Sequence, residues 1–269
     1  MRPARLLLLS LAAATACLRL GAAEPAAPGS VPAGFVRIPA GTYSPVLRMK
    51  DEPETVPVAA FLLQERPVTN AEFLAFVQAN PKWRRSQVSP LFADIGYLGE
   101  WAEDLELGPG APVDSPVVRI SWFAVRAYVR WKGLRLPTTA EWERAAAAGY
   151  TVEDGQAEAA YRDAVITWFT VPNLRPLPAA GRGRPNYFGV RDLHTLVWEW
   201  VDDFNTALTT GESRADTGLE RDLFCGAGSV GARDTGNYPA FMRAGYRSSL
   251  RASYTVPNLG FRCALSLSP

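Results

Sequence analysis

The sequence is poor in the side chains that most often carry metal or nucleophilic chemistry. Its 269 residues include one histidine and three cysteines. The single histidine, His194, excludes an iron site built from several histidines of one chain. No Ser-His-Asp arrangement, phosphate-binding glycine loop or metalloprotease motif is present. A formal net charge of +1 also gives no electrostatic support for a nucleic-acid partner.

Long apolar runs are equally scarce, and the one that occurs lies at the beginning. Arg2 and Arg5 precede the apolar residues 6–16, and small residues follow at 21–23. This pattern predicts a secretory signal at residues 1–23 and a mature protein that is periplasmic or secreted and has no membrane span.

An alternative processing site lies within the same segment. Cys17 follows small residues and can be the acylated cysteine of a degenerate lipoprotein signal, which would leave a lipid anchor there. In either case we expect a flexible N-terminal segment at residues 24–34 and a single domain over residues 35–266.

After removal of such a signal, two cysteines remain, Cys225 and Cys263. Export favours a disulfide between them. Two unpaired structural thiols, or a thiolate site for a soft metal such as Cu(I), are the alternatives.

Local patterns predict two helices in the middle of the chain. Ser121 can cap a helix that ends at Gly133, and Thr138 with Glu141 has capping-box spacing before a helix over residues 141–148. Upstream, Asn70 is a candidate N-cap for a helix over residues 71–77. Alternating residues at 35–43 and the apolar run at 56–63 predict strands.

Two further segments leave alternatives open. The aromatic residues at 81–112 either line a binding groove or fasten a long loop to the core. Arg243, Arg247 and Arg251 either form a cationic wall with nearby tyrosines, suited to a carboxylate or peptide, or pair with buried acids, as we expect for Arg243 and Arg262.

Recognisable motifs occur in one order at residues 135–143, 185–193, 197–203, 225–229 and 258–263. Together they resemble the formylglycine-generating enzyme family, also called the sulfatase-modifying-factor type. The resemblance covers residues 35–264 and implies an α+β, C-type-lectin-like fold with small twisted antiparallel sheets, a few helices and much irregular loop.

The same resemblance puts the family's chemistry in question. Catalytic members bind Cu(I) through a cysteine pair, and those positions fall at Ala232 and Asn237, neither of which offers a thiolate. Copper is therefore expected only if Cys225 and Cys263 are free thiols. The family disulfide partner of Cys263 is replaced by Val129.

Other family positions are retained. The resemblance implies that Trp200, Ser229 and Asn258 line a substrate channel. From the cationic-wall alternative above, Arg243 and Arg247 are further groove candidates.

A family calcium position falls at one carboxylate, Glu199. The usual Gly-Asn preceding the Trp-Glu-Trp motif is Thr195-Leu196 here, which removes one oxygen ligand.

Two functions follow from these patterns. The first is an exported accessory or binding factor, with a peptide or exported protein as partner, in the maturation of exported redox or metal-containing proteins. The second is a divergent metal-dependent oxidase that acts on a protein cysteine or on a small exported substrate.

Overall fold

The computed structural model describes residues 31–46, 53–170, 174–205 and 237–267, and in these residues the strands are short and form three sheets. Their bounds are β1 (Phe35–Ile38), β2 (Gly41–Tyr43), β3 (Val56–Val58), β4 (Phe61–Gln64), β5 (Trp198–Trp200), β6 (Leu259–Phe261) and β7 (Ala264–Ser266). Strands β1, β4 and β7 form an antiparallel sheet with β4 in the centre, where Phe61 faces both Ile38 and Ser266. Strands β2 and β3 are antiparallel, whereas β5 and β6 are parallel.

Helices lie between these strands in the chain. They are α1 (Asn70–Ala79), α2 (Trp122–Trp131), α3 (Thr139–Ala146), α4 (Ala159–Thr170) and α5 (Tyr238–Ser248), with short 3-10 turns at Pro81–Trp83 and Gly155–Ala157. Helix α3 contacts β2 and β3. The mixture of few helices, small sheets and long irregular connections confirms the α+β, C-type-lectin-like fold class. Among the described residues, no helix has both the length and the apolar composition needed to cross a membrane. The predicted signal at residues 1–23 lies outside the described part of the chain.

The helix starts follow the capping signals with one exception. Ser121 and Thr138 cap α2 and α3 as predicted, and Gly133 follows α2 with a φ of 68°. The prediction that Asn70 caps α1 is wrong, because Thr69 accepts the Glu72 amide and forms the capping box.

Asn70 is the first residue of α1, and its side chain serves a tertiary contact. It donates to the carbonyls of Pro112 and Ser115 and accepts from the indole of Trp101. These long-range bonds hold the end of the 81–112 segment against α1.

The 81–112 segment is fastened to the core, as one of the two alternatives predicted. Trp83, Tyr97 and Trp101 are buried, and the Tyr97 hydroxyl donates to the Trp83 carbonyl at 3.1 Å. Phe92 is only partly exposed and packs on Trp83. The segment therefore contributes its aromatic side chains mainly to packing.

Replacing Thr138 by alanine is expected to destabilise the fold by about 1 kcal/mol, because it removes the side chain that accepts the Glu141 amide at 3.2 Å. Urea unfolding followed by tryptophan fluorescence measures the change. Thr139→Ser keeps a hydroxyl in the first turn and serves as the control. An unchanged unfolding midpoint in Thr138→Ala would contradict the capping role.

Candidate functional site

A buried carboxylate holds two arginines of α5 against α3. Glu143 accepts from Nε and Nη2 of Arg243 at 2.9 and 2.7 Å, and from Nη1 of Arg247 at 2.5 Å. The two arginines converge because residues four apart lie on the same face of a helix. Burial raises the pKa of Glu143, but the charges and hydrogen bonds of both arginines outweigh burial and lower that pKa to about 2.

This ion cluster carries more positive than negative charge. Glu143, Arg243 and Arg247 are 5%, 6% and 6% exposed, so solvent screens none of them well. Among the residues that the structure describes, these two guanidinium groups share one carboxylate, which leaves one positive charge in excess. A buried charge without a counter-charge is costly in free energy, so a nearby anion or hydrogen-bond acceptor would stabilise this excess positive charge.

His194 completes the cluster as a neutral group. Its Nε2 lies 2.9 Å from the Ala146 carbonyl, which only accepts, so Nε2 carries the proton and Nδ1 faces Arg243 Nη1 at 3.4 Å. Burial, and next the positive charge of Arg243, lower the pKa of His194 to about 3. The imidazole is therefore an uncharged spacer between α3 and α5 at neutral pH.

Trp142 joins this cluster to a second buried ion pair. Arg243 and Arg247 lie over its ring at 5.4 and 4.8 Å, and its Nε1 donates to Glu199 at 2.7 Å. Arg262 donates to both oxygens of Glu199 at 2.8 and 2.7 Å, and both side chains are fully buried. The expectation that Arg243 and Arg262 pair with buried acids is confirmed.

A cavity of about 610 Å³ lies beside the ion cluster. Side chains from β2, α3, α4 and the beginning of α5 form its walls. The residues that line the cavity include Tyr43, Glu143, Arg144, Tyr161, Val165, Ile166, His194, Asn237, Ala240 and Arg243. One end of the cavity therefore borders the buried excess of positive charge.

The structure separates the predicted groove residues. Arg243 lines the cavity and Arg247 lies directly behind it on Glu143. Trp200 is fully buried and donates to the Ile120 carbonyl, so it lies in the core. Asn258 accepts the Trp198 amide through its backbone at 2.8 Å.

The residues that replace the expected copper ligands do not fit Cu(I). Asn237 is the N-cap of α5, its side-chain oxygen accepting the Ala240 amide at 3.3 Å, and an amide is not a soft ligand. The second replaced position, Ala232, lies outside the described residues.

The remaining cysteines leave the disulfide and metal predictions open. Cys263 is fully buried in the main core, and burial raises the pKa of its thiol, which disfavours a thiolate. Cys225 and the groove candidate Ser229 lie outside the described residues.

The carboxylate at the expected calcium position, Glu199, forms an ion pair instead. Both oxygens of Glu199 accept hydrogen bonds from Arg262, and one accepts from Trp142 as well. A hard cation at this carboxylate would have to displace a guanidinium group, so the observed geometry does not fit calcium there.

The sequence analysis missed the residue at the centre of the site, Glu143. The available signal was Arg243 and Arg247 at a spacing of four, since like charges on one helix face repel each other and a nearby acid relieves that repulsion. Arg144 and Tyr161, which line the cavity, were missed as well.

Comparisons with known proteins find relatives in the formylglycine-generating enzyme family. A formylglycine-generating enzyme of Streptomyces coelicolor is 32% identical over 254 residues, covering 78% of this chain and 79% of that protein. An inactive C-alpha-formylglycine-generating enzyme 2 of Mus musculus is 28% identical, covering 93% of this chain and 89% of its own length. A hercynine oxygenase of Mycolicibacterium thermoresistibile is 31% identical over 170 residues, covering 54% of this chain and 36% of that enzyme.

Among solved structures, PvdO from Pseudomonas aeruginosa is 22% identical, with a TM-score of 0.46 and coverage of 87% of this chain and 94% of PvdO. The model of the family described as the sulfatase-modifying factor enzyme 1-like domain matches residues 22–267. The chain therefore belongs to the sulfatase-modifying factor (formylglycine-generating enzyme) family.

Proposed function

We propose that this protein is exported and acts as a peptide-binding accessory factor in the maturation of exported redox or metal-containing proteins, without oxidising its ligand. The observation that carries the proposal is Asn237. It replaces a residue that, by the family resemblance, would bind copper, and it caps α5 at the wall of the cavity. A ligand-sized space lies beside a position where the family's sulfur ligand is absent.

Loss of the sulfur ligands is expected to abolish oxidase turnover. The purified mature protein, incubated with Cu(I), oxygen and a cysteine-containing peptide, should consume no oxygen above background and leave the cysteine unchanged by mass. The Streptomyces coelicolor relative, assayed in parallel, controls for the reagents. Formation of formylglycine by this protein would overturn the proposal.

A divergent oxidase is the second candidate, and the relatives named as formylglycine-generating enzymes favour it. It would need Cys225 and Cys263 as soft ligands. Intact-mass measurement with and without alkylation of the folded protein, after exposure to Cu(I), separates the two candidates. Two reactive thiols that retain one copper ion support the oxidase, whereas no alkylation and no copper support the accessory factor.

Export is tested by determining where the protein is found and where its chain begins. N-terminal sequencing of protein recovered from outside the cytoplasm should begin close to residue 24, as a cleaved secretory signal requires. An N-terminus acylated at Cys17 would instead identify a lipoprotein. Recovery of the chain only from the cytoplasm, with residues 1–23 intact, would contradict the exported role.

A further inference from the structure

The size of the cavity suits a small organic group or the end of a peptide. Its volume is about 610 Å³. Pockets that hold such ligands commonly measure about 300–1,000 Å³. Its walls come from elements far apart in the chain, β2, α3, α4 and α5, so the space is built by the tertiary fold.

Charge around the cavity is balanced at the outer end and unbalanced at the inner end. Arg144 pairs with Glu153 toward the outside, whereas Arg243 and Arg247 share Glu143 inside. The inner end therefore carries one net positive charge. Arg144 adds a donor, because its buried Nε has no acceptor among the described residues.

The other ionisable groups among the described residues that line the cavity do not cancel this charge. Tyr43 and Tyr161 stay neutral because burial raises the pKa of both hydroxyls, and burial keeps His194 uncharged by lowering its pKa. Asp154 and Arg162 are exposed at the rim, where solvent and salt screen them.

Part of the cavity lining is apolar. Val165 and Ile166 of α4, Ala146 of α3 and Ala240 of α5 are among the residues that line the space. Ile166 is 49% exposed, so part of this apolar lining is open to a ligand. Covering it would bury apolar surface, which favours binding of an aliphatic group.

We infer that the cavity binds a carboxylate attached to an aliphatic body, with the carboxylate toward the Glu143–Arg243–Arg247 cluster and the aliphatic part against Val165 and Ile166. In the peptide-binding function proposed above, on which this step rests, the matching ligand is the C-terminal end of a peptide whose last residue is apolar. A free small acid has the same chemistry and is the other source.

Three probes test the inference by titration calorimetry of the mature protein at pH 7. The first is the peptide acetyl-Ala-Ala-Leu with a free carboxylate, the second is the same peptide with a C-terminal amide, and the third is 4-methylpentanoate. Because one charge-assisted interaction is lost in the amide, the acid peptide should bind about tenfold more tightly or better.

Each outcome bears on both proposals, and two of the outcomes separate them. Tighter binding of the acid peptide supports both. Equal binding of acid and amide peptides keeps the peptide-binding function and overturns the carboxylate site. Binding of 4-methylpentanoate alone keeps the carboxylate site and overturns the peptide-binding function, and no binding of any probe overturns both.

Two variants test whether the arginine cluster causes the preference for the acid peptide over the amide peptide. Arg247→Met removes the excess charge and leaves Arg243 paired with Glu143. The ratio of the affinity for the acid peptide to the affinity for the amide peptide should therefore fall to about threefold or less. Arg251→Gln makes the same charge change at an exposed residue outside the cavity and should keep the full ratio. A ratio unchanged in Arg247→Met would overturn the assignment, and the wild-type ratio stands as a test even if this variant folds poorly.

Discussion

Replacing Glu143 by glutamine is expected to lower the free energy of unfolding by about 3–5 kcal/mol, which would make it the most damaging single change in the site. Glutamine has nearly the same volume but no charge. Arg243 and Arg247 would then lie next to each other without a counter-ion, 6% exposed each, in surroundings that screen charge poorly. Urea unfolding at pH 7, followed by tryptophan fluorescence, measures the loss.

A matched change at an ion pair outside the cluster provides the control. Glu153 pairs with Arg144, but its side chain is 51% exposed, so Glu153→Gln should cost less than about 1 kcal/mol. Adding Arg247→Met to Glu143→Gln removes one of the two unpaired cations and should recover part of the stability. If Glu143→Gln costs no more than Glu153→Gln, the cluster does not hold α5 in place.

Local signals in the sequence predicted the parts of the fold that depend on neighbouring residues. Thr138 with Glu141, and Ser121, specify their helix starts within three residues of chain. Thr69 and Asn70 are both good capping residues, and what separates them is the distant contact of Asn70 with Trp101, which no local pattern contains.

Helix α4 was missed for a different reason. Its sequence includes Val165, Ile166 and Thr167 next to Trp168 and Phe169, residue types that favour strands when taken alone. The segment is helical in the fold, where Tyr161 donates to the Ala146 carbonyl and Val165 is buried. Tertiary contacts outweigh intrinsic propensity here.

The candidate site shows the same division between local and distant information. The spacing of Arg243 and Arg247 is a local pattern, and it predicts that both side chains share a helix face. The acid that pairs with both, Glu143, is about one hundred residues away on α3. The sequence therefore indicated that a buried acid should be present but did not identify it. The family resemblance located the missing cysteine at Asn237, and the fold supplied its new role as a helix cap.

Stability is expected to fall by about 2 kcal/mol between pH 6.5 and pH 5, because of His194. Its pKa in the folded protein is lowered to about 3, whereas an unfolded histidine titrates near 6.5. Below pH 6.5 the unfolded chain therefore binds a proton that the folded chain rejects, and unfolding becomes easier as pH falls. Since the sequence has one histidine, this window reports on a single side chain.

The groups that face His194 set the lower limit of that window. Arg243 opposes a second positive charge from α5, while Glu143 and Tyr161 face the ring from α3 and α4. The pKa of Glu143 is lowered to about 2, so its contribution to stability is complete above about pH 4.5 and is lost only as pH falls from there toward 2. Measurements from pH 7 to pH 5 therefore separate the histidine from the carboxylate.

His194→Gln is the variant that isolates this effect. The glutamine amide can donate to the Ala146 carbonyl, as His194 Nε2 does at 2.9 Å, but it does not titrate. The variant should lose some stability at pH 7 through imperfect packing, yet its free energy of unfolding should stay nearly constant from pH 7 to pH 5. A decline as steep as that of the wild type would show that the proton is taken up elsewhere, and that His194 is not held neutral by burial and the charge of Arg243.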